Sequence, residues 1–204
     1  MNIILMGIQG SGKGTQAKLL AKQLNLAHIS TGDLFRSLTG ELKEKVDALI
    51  NKGNLVPDNL TLDILKKRFS EPDCKNGFIL DGYPRNITQA KTLDNITNID
   101  EIIEISLDDK ESIKRLSGRR SCKSCNKEYN VNIPFLAPKN PLLCDICKKP
   151  LFQRDDDKTE ESIKKRLDIY HKETKPILNH YKSIKINGNQ SIDAVLQDIL
   201  KALN

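Results

Sequence analysis

The first fifteen residues constrain this chain most. Residues 1–6, Met-Asn-Ile-Ile-Leu-Met, run apolar almost without a break and read as a strand buried on both faces. Gly7-Ile8-Gln9-Gly10-Ser11-Gly12-Lys13-Gly14-Thr15 follows directly, and then Ala17, Leu20, Ala21 and Leu24 recur at i, i+3, i+4 and i+7, the stripe of an amphipathic helix. A strand, a glycine-rich turn and a helix in that order suit an anion. Closely spaced glycines let successive backbone N–H groups turn toward it without Cβ clashes. The helix N-terminus adds its positive end, and Lys13 supplies a mobile point charge. The turn departs from the general G-x-x-x-x-G-K-[ST] phosphate pattern: Gly14 stands where a hydroxyl normally meets Mg²⁺, and Thr15 comes one residue late.

Strand-and-helix alternation continues along the chain. Phe78-Ile79-Leu80 is a short apolar strand ending at Asp81, Ile102-Ile103 with Ile105 is another, and Ile184 to Ile186 is a late one. The last helix is capped by Ser191 and carries Ile192, Val195, Leu196, Ile199, Leu200 and Leu203 on one face. Such alternation predicts a parallel sheet covered by helices on both sides. Residues 30–56, mostly helical in pattern, and residues 118–157, loop-like with Pro134, Pro138, Pro141 and Pro150, interrupt it. Both are expected as small insertions at the ligand edge of a core made of 1–29, 57–117 and 158–204. The whole length of 204 residues accommodates one α/β core with such additions.

Charge and composition exclude more than they assign. The net charge of +6 is compatible with nucleic acid or with small phosphorylated ligands. No run of five basic residues occurs, and five Phe, four Tyr and no Trp give few stacking surfaces, so nucleic acid is not expected. No apolar stretch approaches the roughly 20 residues of a membrane span. Cys122-x-x-Cys125, 18 residues and Cys144-x-x-Cys147 have the spacing of a zinc ribbon, with Cys74 apart. Two such knuckles close a tetrahedron without an open position for water, which makes the site structural. Zn²⁺ is preferred to Fe²⁺ because no other residue suggests redox work; disulfides or idle thiols are the alternative. Metal-holding thiols and the lack of a secretion signal point to a reducing, cytoplasmic setting.

The remaining motifs lie where a second phosphorylated ligand would sit. Ser30-Thr31-Gly32-Asp33-Leu34-Phe35-Arg36 sets Asp33 and Arg36 at i, i+3 on a helix start, which an ordinary cap with a surface Arg would also explain. Asp81-Gly82-Tyr83-Pro84-Arg85 comes just past a buried strand's carboxyl end, where open α/β sheets place ligands; a structural salt bridge at Arg85 is the alternative. Arg115 and Arg119 lead into the cysteine segment with Gly118 as a hinge residue, and Arg154 and Arg166 follow it. His28, His171 and His180 fall outside every motif and offer no general base.

Gly-x-x-Gly-x-Gly-Lys-Gly-Thr resembles the phosphate loop of the nucleoside monophosphate kinases, the adenylate kinase family above all, with Gln9 in place of a usual proline. The likeness runs in order from that loop to Gln190. It implies a five-stranded phosphate-loop fold and reversible transfer, ATP + AMP = 2 ADP. By the same resemblance Gly10, Ser11, Gly12, Lys13, Gly14, Thr15, Arg119, Glu128, Tyr129 and Gln190 hold ATP, the last in the Gly188-x-Gln190 segment that reads adenine. Thr31, Arg36, Asn54, Leu55, Val56 and Gln89 hold AMP, Asn54 to Val56 within a Gly53-Asn54-Leu55-Val56 motif, and Gly82, Tyr83, Pro84 and Arg85 meet its phosphate. Lys13, Arg85, Arg119, Arg154 and Arg166 surround the transferred group, the last two shared with AMP. Mg²⁺ on ATP is met through water by Thr15, Asp33 and Asp81. Cys122, Cys125, Cys144 and Cys147 match the structural zinc of a cysteine lid found in some bacterial members. A monomer is expected. Asn86 is more familiar from UMP/CMP kinases, which usually lack the cysteine ribbon, and so leaves the base preference open. A zinc-ribbon nucleic-acid binder with an ATP switch would use Lys123, Lys127, Lys148 and Lys149, but the aromatics it needs are missing.

Overall fold

The computed structural model describes residues 1–52 and 54–203, so Gly53 of the 53–56 motif lies outside it. Five strands form the main sheet: β1 (Asn2–Met6), β2 (Ala27–Ser30), β3 (Phe78–Asp81), β4 (Glu101–Ser106) and, late in the chain, β8 (Ile184–Asn187). Their order is β2-β3-β1-β4-β8, and every neighbouring pair is parallel. Helices α1 (Lys13–Leu24), α4 (Asp58–Phe69), α5 (Ile87–Asp94), α6 (Asp109–Gly118), α7 (Glu160–Ile169), α8 (Ile177–His180) and α9 (Ile192–Leu203) flank it. The five-stranded phosphate-loop architecture expected above is therefore present.

Side chains alternate across a strand with period two, so the inner strands β1, β3 and β4 each serve two cores. Ile4, Met6, Ile29, Leu80 and Ile102 face Leu65, Leu93 and Ile177. Ile3, Leu5, Ile79, Ile103 and Ile105 face Ala17, Leu20, Val195 and Ile199 on the other side. This is why residues 3–6 are apolar without interruption. Strand β2 gives no such signal in the sequence: it is an edge strand, and its alternate residues His28 and Ser30 are only half-buried.

Two segments leave the main body. Residues 31–50 form α2 (Thr31–Ser37) and α3 (Gly40–Ile50), which enclose a small core of Phe35, Val46 and Val56. The segment expected as loop-like contains instead a three-stranded antiparallel sheet, β5 (Arg119–Cys122), β6 (Glu128–Asn130) and β7 (Leu151–Phe152), in the order β6-β5-β7. Its strands have four, three and two residues, too short for an alternation to register. Gly118, expected as a hinge, is explained by close approach: a Cβ there would collide with the side chains of Asn130 and Asn132. Those two asparagines donate to the carbonyls of Arg115 and Lys114, which end α6.

Strand order reverses at β1, with β3 on one side and β4 on the other. The crevice at the carboxyl ends there is where an open sheet of this kind takes its ligand. Among the described residues no helix is long and apolar enough to cross a membrane.

Candidate active site

The turn after β1 folds back on itself, with Gly7, Gly10 and Gly12 at φ 147°, 82° and 94°, a region that side chains resist. Ser112 on α6 anchors it by donating to the Gln9 carbonyl at 2.5 Å, which removes any need for proline at position 9. Ser11 is 2% exposed, and its hydroxyl has no partner among the described residues. Lys13 reaches back to the Ile8 carbonyl at 3.3 Å. Burial pulls its ammonium down to about 8; Asp81 opposes this, while Arg85, Arg166 and Arg119 add to it. Gly14 has a physical reason too. A Cβ there would stand 3.2 Å from the Asp81 carboxylate, so Thr15, exposed one residue on, carries the hydroxyl instead.

Across the crevice, the carboxyl end of β3 presents Asp81 and Gly82. Thr31 caps this turn from α2, donating to the Gly82 carbonyl at 3.0 Å. Arg85 leans back to the same carbonyl through Nε at 2.8 Å. Among the described residues neither Lys13 nor Arg85 has a carboxylate within ion-pair distance. Burial and the neighbouring Arg166 both work against the Arg85 charge. Tyr83 and Pro84 are buried instead, and the Tyr83 hydroxyl donates to the Gln89 carbonyl. Arg36, near the end of α2, pairs with Asp33 at 2.6 Å and remains exposed. Asn54 and Leu55 are half-buried, whereas the Val56 side chain packs on Phe35 and Val46. Gln89 is 3% exposed, and both ends of its amide are engaged within the protein, toward Arg85 and Asp58, rather than open to the crevice as expected.

Two of the other arginines, Arg119 and Arg166, converge on one carboxylate. Asp157, 1% exposed, accepts from Arg119 Nε at 2.7 Å through one oxygen and from Arg166 at 2.7 Å through the other. Arg119 Nη2 lies 2.6 Å from the first oxygen but out of line for a hydrogen bond. Asp156 adds a contact to Arg166 at 3.1 Å. Arg154 pairs with Glu128 on β6 at 2.7 Å. Arg115 donates to the Gly188 carbonyl, tying α6 to the 188–190 segment, and Gln190 donates to Asp198. Asp157 is the member that sequence reasoning leaves unplaced among three successive aspartates; only burial distinguishes it.

The four paired cysteines come together, their sulfurs all within 4.8 Å of one another. Cys122 and Cys147 are 3.3 Å apart, and Cys125 and Cys144 are 3.5 Å apart, too far for a disulfide. Four thiolates about 2.3 Å from a zinc ion would stand about 3.8 Å apart, so the donors fit that group. The two knuckles repeat one geometry. Asn126 and Lys148, each just after its Cys-x-x-Cys, adopt φ 55° and 59° and donate to the Cys122 and Cys144 carbonyls at 2.9 Å. Tyr129, expected at the nucleotide, is turned to the cysteines: its hydroxyl lies 3.4 Å from the Cys144 sulfur and accepts from the Asp145 N–H.

A family model described as adenylate kinase matches residues 5–186. The chain belongs to the adenylate kinase family. It is similar over its full length to adenylate kinases of Methanocella arvoryzae (46% identical, 98% of that protein covered), Acetivibrio thermocellus (45%, 98%) and Thermosipho africanus (44%, 99%). It is thus a nucleoside monophosphate phosphotransferase, and its reaction is ATP + AMP = 2 ADP. For an adenylate kinase the geometry described here is economical: an anion loop, a facing Arg85 and a ring of arginines need no acid or base. Two of the three histidines stand apart from the crevice, while His28 feels the charges of Asp81 and Asp33 and has its pKa lowered chiefly by burial. His171 and His180 pair with Asp109 and Asp94 on the surface, and His28 lies on the edge strand β2.

Proposed function

We propose that Lys13 and Arg85 hold the two ends of the reacting phosphate chain, Lys13 on the donor and Arg85 on the acceptor monophosphate. The supporting observation is their shared condition: two recessed cations, each without a carboxylate partner among the described residues, on adjoining strand ends. Buried charge without compensation is costly, and phosphate oxygens supply the compensation. The acceptor oxygen is already anionic at neutral pH, so transfer needs alignment and charge neutralisation rather than a base.

Ser11 Oγ and the loop N–H groups of residues 10–15 take the donor phosphates. Arg119, Arg154 and Arg166 meet the transferred group when residues 118–157 close as a lid over the core of 1–29, 57–117 and 158–204, with 30–56 as the acceptor's own insertion. Asp157 keeps Arg119 and Arg166 facing inward before the substrate arrives, and closure excludes water that would otherwise take the phosphoryl group. Mg²⁺ bound with ATP would neutralise phosphate charge there. Thr15, Asp33 and Asp81 suit it as partners through water, since the Gly14 backbone passes close to the Asp81 carboxylate. Cys122, Cys125, Cys144 and Cys147 would hold zinc, which has no open position and supplies only rigidity. We place the enzyme in the cytoplasm as a monomer.

Base choice tests the acceptor half of this reading. Thr31, Arg36, Asn54, Leu55, Val56 and Gln89 then line AMP, Val56 through its backbone because its side chain is committed to Phe35. A coupled assay with ATP and each of AMP, CMP and UMP should give AMP at least about 100-fold higher kcat/KM, the worth of two hydrogen bonds to the base. Asn86 bears on this as a helix cap: its side chain accepts the Gln89 N–H at 2.8 Å and so is turned away from a base. Equal use of CMP or UMP would overturn the assigned acceptor site.

A further inference from the structure

Asp58 opens α4 and belongs to none of the motifs above. Its Oδ1 accepts from Gln89 Nε2 at 2.6 Å, and both its oxygens lie near Asn86 Nδ2, at 3.3 and 3.4 Å. At the other end of the same amide, Gln89 Oε1 accepts from the Arg85 backbone N–H at 2.7 Å. Each contact has a fixed polarity. A carboxylate only accepts, and a peptide N–H only donates. Turning the amide over would therefore set Oε1 against the Asp58 carboxylate and Nε2 against an N–H, two repulsions in place of two bonds. Gln89 is 3% exposed, so water does not relieve them.

We infer that Asp58 is a positioning residue that locks the polarity of the Gln89 amide and so selects adenine over a 6-oxopurine at the acceptor site. The inference rests on the reading that Gln89 faces the acceptor base. After Asp58 and Arg85 are served, the amide keeps one N–H and one oxygen lone pair. Adenine offers an acceptor at N1 and a donor at N6; a 6-oxopurine offers the reverse, a donor at N1 and an acceptor at O6. In one base pose only one amide orientation matches each. A free glutamine would turn and accept both. A locked one rejects the base that leaves its groups unpaired.

The test is a four-protein comparison: wild type, Asp58→Asn, Gln89→Ala and the double variant, each assayed with ATP and either AMP or GMP. The amide that Asp58→Asn introduces can present a donor or an acceptor, so of the two restraints on Gln89 only the Arg85 N–H remains. Asp58→Asn should narrow the AMP-to-GMP ratio of kcat/KM by at least about 10-fold, one hydrogen bond's worth, through the monophosphate KM. The KM for ATP should stay within about two-fold, and in the Gln89→Ala background Asp58→Asn should change the ratio no further. Should Gln89→Ala raise the AMP KM while Asp58→Asn leaves the ratio intact, the lock is wrong and the base reading stands. Should Gln89→Ala leave the AMP KM unchanged, both fail. An equal narrowing in the Gln89→Ala background also overturns the lock, since Asp58 would act by another route. If Asp58→Asn does not fold, wild-type side-chain NMR decides: the Gln89 Nε2 protons should be resolved and slow to exchange. Rapid exchange with solvent would overturn the proposal.

Discussion

Lys13 shows how a single side chain records an anion site before any anion arrives. Its ammonium, ordinarily near 10.5, is pulled down to about 8 by burial. In the folded state without nucleotide the proton is therefore lost as pH rises through about 8, while the unfolded chain keeps it to about 10.5. Between these values the unfolded state binds more protons, so this residue makes stability rise with pH. Relative to Lys13→Met, the nucleotide-free enzyme should gain about 2 kcal/mol in urea unfolding between pH 7.5 and 9.5. Equal slopes in the two proteins would mean the amine is not held in a desolvated site. Lys13→Ala should fold normally and lose at least about 100-fold in kcat/KM, the scale of one preorganised contact. Asp157 makes the opposite kind of prediction. Asp157→Ala strands two mostly buried arginines and should cost about 3 kcal/mol in thermal or urea unfolding. A loss well under 1 kcal/mol would show that the arginines turn outward freely. Lys13 was legible in the sequence through glycine spacing. Asp157 was not, because three aspartates in a row differ only in which one the fold buries.

Elements were legible in proportion to their length and two-sided burial. Strands β1, β3 and β4 each bring consecutive apolar residues to both cores, β8 brings Ile184 and Ile186 to one of them, and α9 has a full apolar stripe. Strand β2 and the strands of residues 119–152 carry no such record. They are short and lie at an edge or outside the main core, and their pairing is fixed by neighbours. In the cysteine segment those neighbours are the knuckles themselves, since exposed Phe135, Leu142 and Ile146 leave little apolar packing there. What holds three short strands together is then four sulfurs and the buried Tyr129 beside Cys144. Metal analysis should give one zinc per chain. Chelation, or Cys144→Ala, should lower the melting temperature while leaving kcat at low temperature within a few-fold, because a four-thiolate site has no open position for a substrate. Abolished activity in a folded, metal-free sample would contradict a purely structural site.

For the molecule as a whole, the decisive property is where its charge is left over. The net charge of +6 alone says only that the surface is mildly basic. The fold adds that some surface lysines sit beside carboxylates, as in Lys164 with Glu160 and Lys158 with Asp155, whereas Lys13 and Arg85 are recessed at the crevice without such partners. Around them Arg119, Arg154 and Arg166 are matched by three carboxylates, Asp156 and Asp157 for two of the arginines and Glu128 for the third. The charge left over in the crevice is then that of Lys13 and Arg85, offset in part by Asp81, and a low-dielectric wall focuses such a field outward. ATP and AMP are both anions, so encounter should be faster than for neutral ligands of the same size. Exposed charges are screened over about 10 Å at 0.1 M salt and about 3 Å at 1 M, whereas groups in contact inside a closed site are screened far less. The two regimes separate kinetically. Raising potassium chloride from low to about 0.5 M should lower kcat/KM for AMP several-fold, because encounter and binding occur across water. It should leave kcat within about two-fold, because at saturation the phosphates already touch Lys13 and the arginines. Reversing an exposed charge that acts on Arg85 provides the control. Arg36→Glu, at an exposed position on the acceptor side, should flatten the salt dependence for AMP and leave that for ATP nearly unchanged. If kcat/KM proves insensitive to salt in the unaltered enzyme, the crevice field does not guide its substrates, and short-range contacts alone account for binding.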